Sequence, residues 1–247
     1  MNRRFLAVVL LVPAVLTGCN FPLAGADPGP SASPSRPSKP KPAPSSAPPS
    51  SSASPGTAKA IKAELARARV LATRPDVPGY QRDLFGQAWS DDHTGVGGHN
   101  GCDTRNDVLT AQLQARKYRG KSQCVVIVGT LVSEPYTGKR VEFRKESASL
   151  VQIDHIYPLS RAWDMGAAKW PKQRRIDFAN DQAMNLIAVG GSANASKSDN
   201  GPGEWMPINR AYRCTFVLRY LQVARKWSLP ITAADRDSAK AITNICP

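Results

Sequence analysis

The decisive stretch of this sequence is Val151-Gln152-Ile153-Asp154-His155-Ile156-Tyr157-Pro158-Leu159-Ser160. Its first apolar residues alternate with polar ones, which predicts a short strand, and Pro158 ends that strand in a turn. An aspartate and a histidine therefore stand side by side at the end of the strand. A carboxylate is a ligand for hard metal ions, and an imidazole changes its charge near neutral pH. We therefore expect the chemistry of the protein to lie at Asp154 and His155.

A second strand and a helix follow downstream. The strand is predicted over Met184-Asn185-Leu186-Ile187-Ala188-Val189, and after a Gly190-Gly191 turn the helix begins in Ser192-Ala193-Asn194-Ala195-Ser196-Lys197. The order is strand, loop, strand, helix, with Asp-His at one end and Asn plus Lys at the other. Such a unit is compact enough to hold one metal ion.

The segments DHIYPLS, NLIAV and NASKSD resemble the signature of HNH (ββα-metal) endonucleases, in the form found in GmrSD-like restriction nucleases and in small secreted actinobacterial nucleases. The resemblance is strong over residues 150–206 and weaker over residues 80–246. The third signature position is Asn194 instead of histidine, a variant that the family also uses. The resemblance implies an α+β fold: a ββα-metal (HNH, or His-Me finger) core with additional helices and a short antiparallel hairpin, braced by disulfides.

The resemblance also implies roles for the signature residues. His155 is the expected general base, and Asp154 and Asn194 are the expected ligands of one Mg²⁺ or another divalent cation such as Mn²⁺. Asn185 takes the middle position, where it ties the loop between the strands and helps to hold the base. Lys197 lies three residues after Asn194 on the same helix face, and we expect it to contact the phosphate.

Three arginines are further candidates for substrate binding. Arg105 follows Cys102 in a segment comparable to one of the secreted nucleases, and it either reaches the scissile phosphate, braces the site or forms a structural ion pair. Arg174 and Arg175 belong to a basic cluster with Lys172 in the insertion between the two halves of the signature. This cluster either contacts flanking phosphates or forms a solvated helix face.

The charge of the chain favours a polyanionic partner. The net charge is +14 at pH 7, and residues 57–247 retain 28 basic and 18 acidic side chains, a net charge of +10. An excess of this size in the globular part attracts nucleic acid or an anionic surface. We expect DNA as the substrate and a monomeric protein.

The amino terminus has the features of an export signal. Arg3 and Arg4 precede an apolar run that is too short to span a membrane, so residues 1–18 are predicted to be a signal peptide. Leu16-Thr17-Gly18-Cys19 resembles a bacterial lipobox, which would lipidate Cys19 and place the protein on the outer face of the cytoplasmic membrane. The alternative is an ordinary secretory signal. Residues 19–56 are rich in Pro and Ser and are predicted to be a disordered linker. Residues 57–247 form the predicted nuclease domain.

The remaining four cysteines form an even set in an exported chain, which predicts two disulfides. Three pairings are open, and we favour Cys102–Cys124 with Cys214–Cys246 because these cysteines are neighbours in the chain. A zinc site is a poor alternative, since there is neither a CxxC pair nor a histidine cluster among them.

Other elements can be predicted from periodicity. Helices are expected over residues 57–71, from residue 102, from 160, from 172, over 209–227 and over 232–245; strands are expected over 124–132 and 141–143. His93 and His99 lie in a glycine-rich loop and are expected to be solvated rather than metal ligands.

Two other functions compete with a nuclease. The first is a lipid-anchored protein that captures DNA without cutting it. This function accounts for the positive charge but leaves the signature residues without a role. A Ser-His-Asp hydrolase or a zinc peptidase is disfavoured, because neither G-x-S-x-G nor H-E-x-x-H occurs in the sequence.

Overall fold

The structure, a computed structural model, describes residues 53–247. The predicted signal peptide, Cys19 and all of the predicted linker except residues 53–56 lie outside the described residues. The helices are α1 (Thr57–Leu65), α2 (Thr104–Gln112), α3 (Leu159–Asp164), α4 (Lys172–Ala179), α5 (Gly191–Lys197), α6 (Arg210–Trp227) and α7 (Ala233–Ile242). The strands are β1 (Val70–Leu71), β2 (Gln114–Tyr118), β3 (Val126–Leu131), β4 (Val141–Arg144), β5 (Val151–His155), β6 (Leu186–Gly190) and β7 (Ile231–Thr232). Short 3₁₀ turns occupy Arg82–Phe85, Lys145–Leu150 and Ala167–Lys169.

The predicted strand–strand–helix order is present. β5 and β6 pair antiparallel, with Asp154 opposite Ile187 and His155 opposite Leu186. The two strands separate two apolar clusters, because neighbouring side chains in a strand point to opposite faces. α5 follows β6 without the predicted turn and begins at Gly191. A side chain at Gly191 would lie 2.1 Å from the Ser149 carbonyl oxygen, so only glycine allows this close approach.

A three-stranded antiparallel sheet covers one face of the β5–β6 pair. β3 and β4 form the predicted hairpin, with Gly129 opposite Phe143. β2 pairs with the other side of β3 and was not predicted. Its sequence, Gln114-Ala115-Arg116-Lys117-Tyr118, is almost wholly exposed and lacks the apolar alternation that marks a half-buried strand.

The C-terminal helices cover the other face. α6 matches its predicted range, and α7 begins with the predicted cap: the Thr232 side chain accepts from the Asp235 amide, and the Asp235 carboxylate accepts from the Thr232 amide. The helix predicted over 57–71 is too long. It ends at Leu65, and Val70 and Leu71 instead form β1, which pairs parallel with β7.

Both disulfides favoured from the sequence are present, Cys102–Cys124 and Cys214–Cys246. The first joins the start of α2 to the segment before β3, and the second fastens the end of the chain to α6. The fold is therefore a mixed α and β structure with small sheets and two disulfides. Among residues 53–247, no helix is long and apolar enough to cross a membrane.

A buried arginine connects α3 to the C-terminal helices. The Arg161 side chain is fully buried and donates to Asp235 at 2.7 Å, to Glu204 at 2.7 Å and to the Tyr220 hydroxyl at 2.8 Å. A buried cation is tolerated only when it is paired and hydrogen-bonded, and Arg161 meets both conditions.

Candidate active site

The Asp154 carboxylate is buried and held on both oxygens. The Lys197 ammonium donates to Oδ1 at 3.0 Å, and the Tyr136 hydroxyl donates to Oδ2 at 2.5 Å. Burial raises the pKa of Asp154, and the attraction of Lys197 and the bond from Tyr136 oppose that rise. Each carboxylate oxygen has more than one lone pair, and Asp154 lines the cleft described below, so its carboxylate can still bind a cation.

Lys197 does not occupy the position expected of a phosphate contact. Its side chain is 0% exposed, and its ammonium also donates to the His155 carbonyl oxygen at 2.9 Å. Burial lowers the pKa of Lys197, while the neighbouring Asp154 raises it. The lysine therefore joins α5 to the end of β5 and holds the Asp154 carboxylate in place.

The His155 ring is oriented by a backbone carbonyl. Its Nε2 lies 2.9 Å from the Ala179 carbonyl oxygen, which can only accept, so a neutral ring carries its proton on Nε2. Burial lowers the pKa of His155 to about 3, more than the Ala179 carbonyl raises it. The imidazole is therefore neutral at pH 7. Its Nδ1 makes no hydrogen bond with a residue in the described part of the chain and is free to accept a proton.

Trp89 packs against the face of the His155 ring. The two rings are stacked, with centroids 5.8 Å apart and planes inclined by 12°. Trp89 has φ +59°, an uncommon conformation for a bulky residue and one that tends to occur at functional sites. Thr104 at the start of α2 holds this segment, because its amide donates to the Trp89 carbonyl and its hydroxyl to that of Ser90. Sequence reasoning missed Trp89, since no local pattern marks it.

Asn185 ties the chain after β5 to the chain before β6. Its side chain accepts from the Tyr157 amide at 2.8 Å and donates to the Tyr157 carbonyl at 3.3 Å, while its own carbonyl accepts from the Ile156 amide. The side chain is fully buried and does not face the cleft. These hydrogen bonds hold the segment after β5 against the segment before β6.

Asn194 presents an amide oxygen near Asp154. Its Nδ2 donates to the Gln152 Oε1 at 2.8 Å, which leaves Oδ1 as the atom without a hydrogen-bond partner among the described residues. Gln152 and Asp154 are two apart in β5 and lie on the same face, so Asn194 is held beside the carboxylate. One carboxylate and one amide oxygen suit Mg²⁺, which takes few protein ligands and keeps several waters. The side chains present therefore fit the expected ion.

A cleft of about 510 Å³ brings these groups to solvent. It is lined by Asp154, His155 and Asn194 together with Tyr80, Arg82 and Ser160. Arg82 is exposed and makes no ion pair with a residue of the described chain; its guanidinium lies 5.9 Å from the Trp89 ring centroid. Within the described part of the chain, it is the only lysine or arginine that lines this cleft, and no local pattern in the sequence marks it.

The three predicted substrate-binding arginines are not part of this cleft. Arg105 donates to the carbonyls of Ala148 and Val151 and therefore braces the start of β5. Arg174 lies over the Trp170 ring and donates to the Trp227 carbonyl. Arg175 donates to the carbonyls of Leu84 and Trp170. The guanidinium groups of the last two are engaged within the fold.

The glycine-rich loop contains one buried histidine. His99 is exposed as expected, whereas His93 is only 1% exposed, and its Nδ1 accepts from the Gly95 amide. The expectation of solvated histidines was therefore wrong for His93. Within residues 53–247, no three His, Cys, Asp or Glu side chains group as metal ligands.

Residues 103–238 match the family described as the C-terminal domain of GmrSD restriction endonucleases. The chain belongs to this family. The match contains β5, β6, α5 and every residue of the ββα signature, and membership indicates a nuclease domain. Nuclease families of this HNH type generally depend on a divalent metal and act on nucleic acid.

A relative from Arthroderma benhamiae (strain ATCC MYA-4681 / CBS 112371) is 34% identical over 179 residues, which cover 71% of this chain and 81% of the relative. It is named an uncharacterized secreted protein. That name and the two disulfides of this chain agree with an exported protein. No solved structure matches the chain.

Proposed function

We propose that this protein is an exported, metal-dependent endonuclease of the HNH type that hydrolyses phosphodiester bonds in DNA. The observation that carries the proposal is the state of His155. The ring is neutral, its Nε2 is engaged by the Ala179 carbonyl, and its free Nδ1 shares a cleft with Asp154 and Asn194. A neutral imidazole with an open nitrogen can take a proton from water, and Asp154 and Asn194 in the same cleft could hold a cation beside it.

Different side chains of the site have different roles in hydrolysis. Nδ1 of His155 accepts a proton from the attacking water, and the Ala179 carbonyl stabilises the imidazolium that results. Tyr136 and Lys197 hold Asp154, and Gln152 holds Asn194, so the two metal ligands keep their places during the reaction. Mg²⁺ held by Asp154 and Asn194 would neutralise charge on the phosphate and on the leaving 3′ oxygen.

Metal dependence gives the first test. With Mg²⁺, the exported protein is expected to nick and linearise supercoiled plasmid, and EDTA should abolish the reaction. Asn194→Ala should lower the rate about 10–100-fold, with partial recovery at higher Mg²⁺, because one of two protein ligands is lost. Plasmid that is retarded on a gel but never cut with any divalent ion would refute the nuclease and favour the DNA-capturing alternative.

Arg82 is proposed to contact the phosphate from the mouth of the cleft. Arg82→Gln is expected to lower the rate of plasmid cleavage about tenfold, because a charge-assisted hydrogen bond contributes about 1.5–3 kcal/mol. Arg67→Gln is the matched control, since Arg67 is also exposed but lies outside the cleft. Equal rates for the two variants would exclude this contact.

The lipobox-like sequence supports attachment of the protein to a membrane through Cys19. The domain would then act close to the cell surface, as the predicted linker allows. Partition of the wild type and of Cys19→Ser between membrane and medium decides between anchoring and secretion. A sedimentation measurement tests the expected monomer.

A further inference from the structure

The positive charge of the domain is concentrated in one segment. Residues 114–145, which contain β2, β3 and β4, include eight basic and two acidic side chains, a net charge of +6. Residues 57–247 as a whole have a net charge of +10. All eight basic side chains are exposed. About one sixth of the domain therefore carries more than half of its excess charge.

These cations are not neutralised within the fold. Of the two acids, Glu134 is buried and accepts from the Tyr136 and Thr137 amides, and Glu142 pairs with Arg140 at 2.7 Å. Seven cations make no ion pair with any residue between 53 and 247: Arg116, Lys117, Arg119, Lys121, Lys139, Arg144 and Lys145.

The strand register places two of these cations, Lys117 and Arg144, on one face of the sheet. Lys117 is opposite Val128, and Val128 is opposite Arg144, so the three side chains form a row across the sheet. Neighbouring strands are about 4.8 Å apart, which sets the two cations roughly 10 Å apart. The opposite face is apolar and carries Phe143, which is buried. We call this row, together with Arg116, Arg119, Lys121 and Lys145, the basic sheet face.

The basic sheet face lies next to the cleft in the chain and in space. From Arg144 the chain passes through the turns at Lys145–Leu150 into β5. Gln152 then links that turn to α5, because its side chain donates to the Ser149 carbonyl and accepts from Asn194. The basic sheet face is therefore joined to the cleft through the short connection between β4 and β5.

Protection of an edge strand explains only part of this pattern. β2 is an edge strand, and lysines on such strands prevent pairing with other chains. β4 is the other edge strand, so the same protection can explain Arg144. Arg119 and Lys121 follow the end of β2 and Lys145 follows the end of β4, so edge protection does not account for these three. The seven cations extend over both outer strands and the connections next to them.

We propose that the basic sheet face binds the phosphate backbone of double-stranded DNA on one side of the bond that is cut. This proposal rests on the proposed function, since it assigns that substrate a second contact surface. Single strands usually bind through exposed aromatic rings on which bases stack. The row of Lys117, Val128 and Arg144 offers none, and cations without stacking partners suit a duplex whose bases stay paired.

Binding of a labelled 30-base-pair duplex tests the assignment. The full exported protein is used with His155→Ala, so that DNA is not consumed. Adding Lys117→Gln, Lys121→Gln and Arg144→Gln is expected to weaken binding at least tenfold at about 100 mM salt. The slope of log affinity against log salt should fall by about 2–3, because each phosphate contact contributes about 0.9.

The matched control removes the same charge elsewhere, with Lys59→Gln in α1, Arg67→Gln just after α1 and Lys240→Gln in α7, all at exposed positions. It should keep the affinity and slope of its parent. Equal weakening in both triple variants would overturn the proposal. So would a sheet variant that loses binding to phosphatidylglycerol vesicles or to single-stranded DNA but not to the duplex.

A small substrate separates this proposal from the nuclease itself. Bis(4-nitrophenyl) phosphate is too small to reach the basic sheet face, so the protein with His155 intact should hydrolyse it equally with and without the sheet substitutions. If neither this diester nor plasmid is hydrolysed while duplex binding still depends on the sheet cations, the nuclease is refuted and the binding surface is supported.

Discussion

Replacing His155 by alanine is expected to slow cleavage of supercoiled plasmid by about 10²–10⁴-fold, the usual contribution of a general base. No other histidine lines the cleft, so no neighbouring imidazole can take over the proton. The measurement is the initial nicking rate at saturating Mg²⁺. The thermal unfolding of the variant is recorded as well, because the ring also packs on Trp89.

His99→Ala is the matched control, since His99 is exposed and lies in the loop rather than in the cleft. It should cut at the wild-type rate. If His155→Ala also cuts at the wild-type rate, either another group is the base or the activity belongs to a contaminant. A loss in His155→Ala that is accompanied by an unfolded spectrum would instead reflect the fold.

Lys197→Met is expected to lower the free energy of unfolding by about 3–5 kcal/mol, the usual cost of leaving a buried charge without its partner. In this variant Asp154 keeps its bond from Tyr136 but loses the ammonium at 3.0 Å. Urea denaturation in EDTA measures the change without a contribution from metal binding.

The double variant Lys197→Met with Asp154→Asn decides the role of the lysine. It should recover most of the lost stability, because removing both charges leaves no uncompensated ion. A phosphate contact would give the opposite pattern: Lys197→Met would keep its stability and bind DNA more weakly. Such a result would restore the role first expected for Lys197.

The strand–strand–helix unit could be predicted because its pattern is local. The alternation before Asp154 and the apolar run at Leu186-Ile187-Ala188-Val189 identify buried strands, and α5 follows within a few residues. β2 could not be predicted in this way, since a polar edge strand has no apolar signal. The β1–β7 pair is two residues long and depends on a contact between distant parts of the chain.

The residues that surround the site were harder to predict from the sequence. Tyr136 lies between two predicted strands, 18 residues before the carboxylate that it contacts, and Trp89 lies in an irregular segment 66 residues before His155. For Lys197 the spacing from Asn194 was interpreted correctly as one helix face. Spacing does not say which part of that face is buried, and tertiary packing placed the ammonium inside.

Because of Arg161, the signature segment cannot be transferred to another protein by itself. It follows the DHIYPLS segment directly, yet its charge is balanced by Asp235 in α7 and by Glu204. A fragment cut after α5 would lack both carboxylates and leave a buried guanidinium uncompensated. The family match runs to residue 238, just past Asp235. Grafting this nuclease onto another protein would therefore require the chain through α7 to be transplanted as one piece.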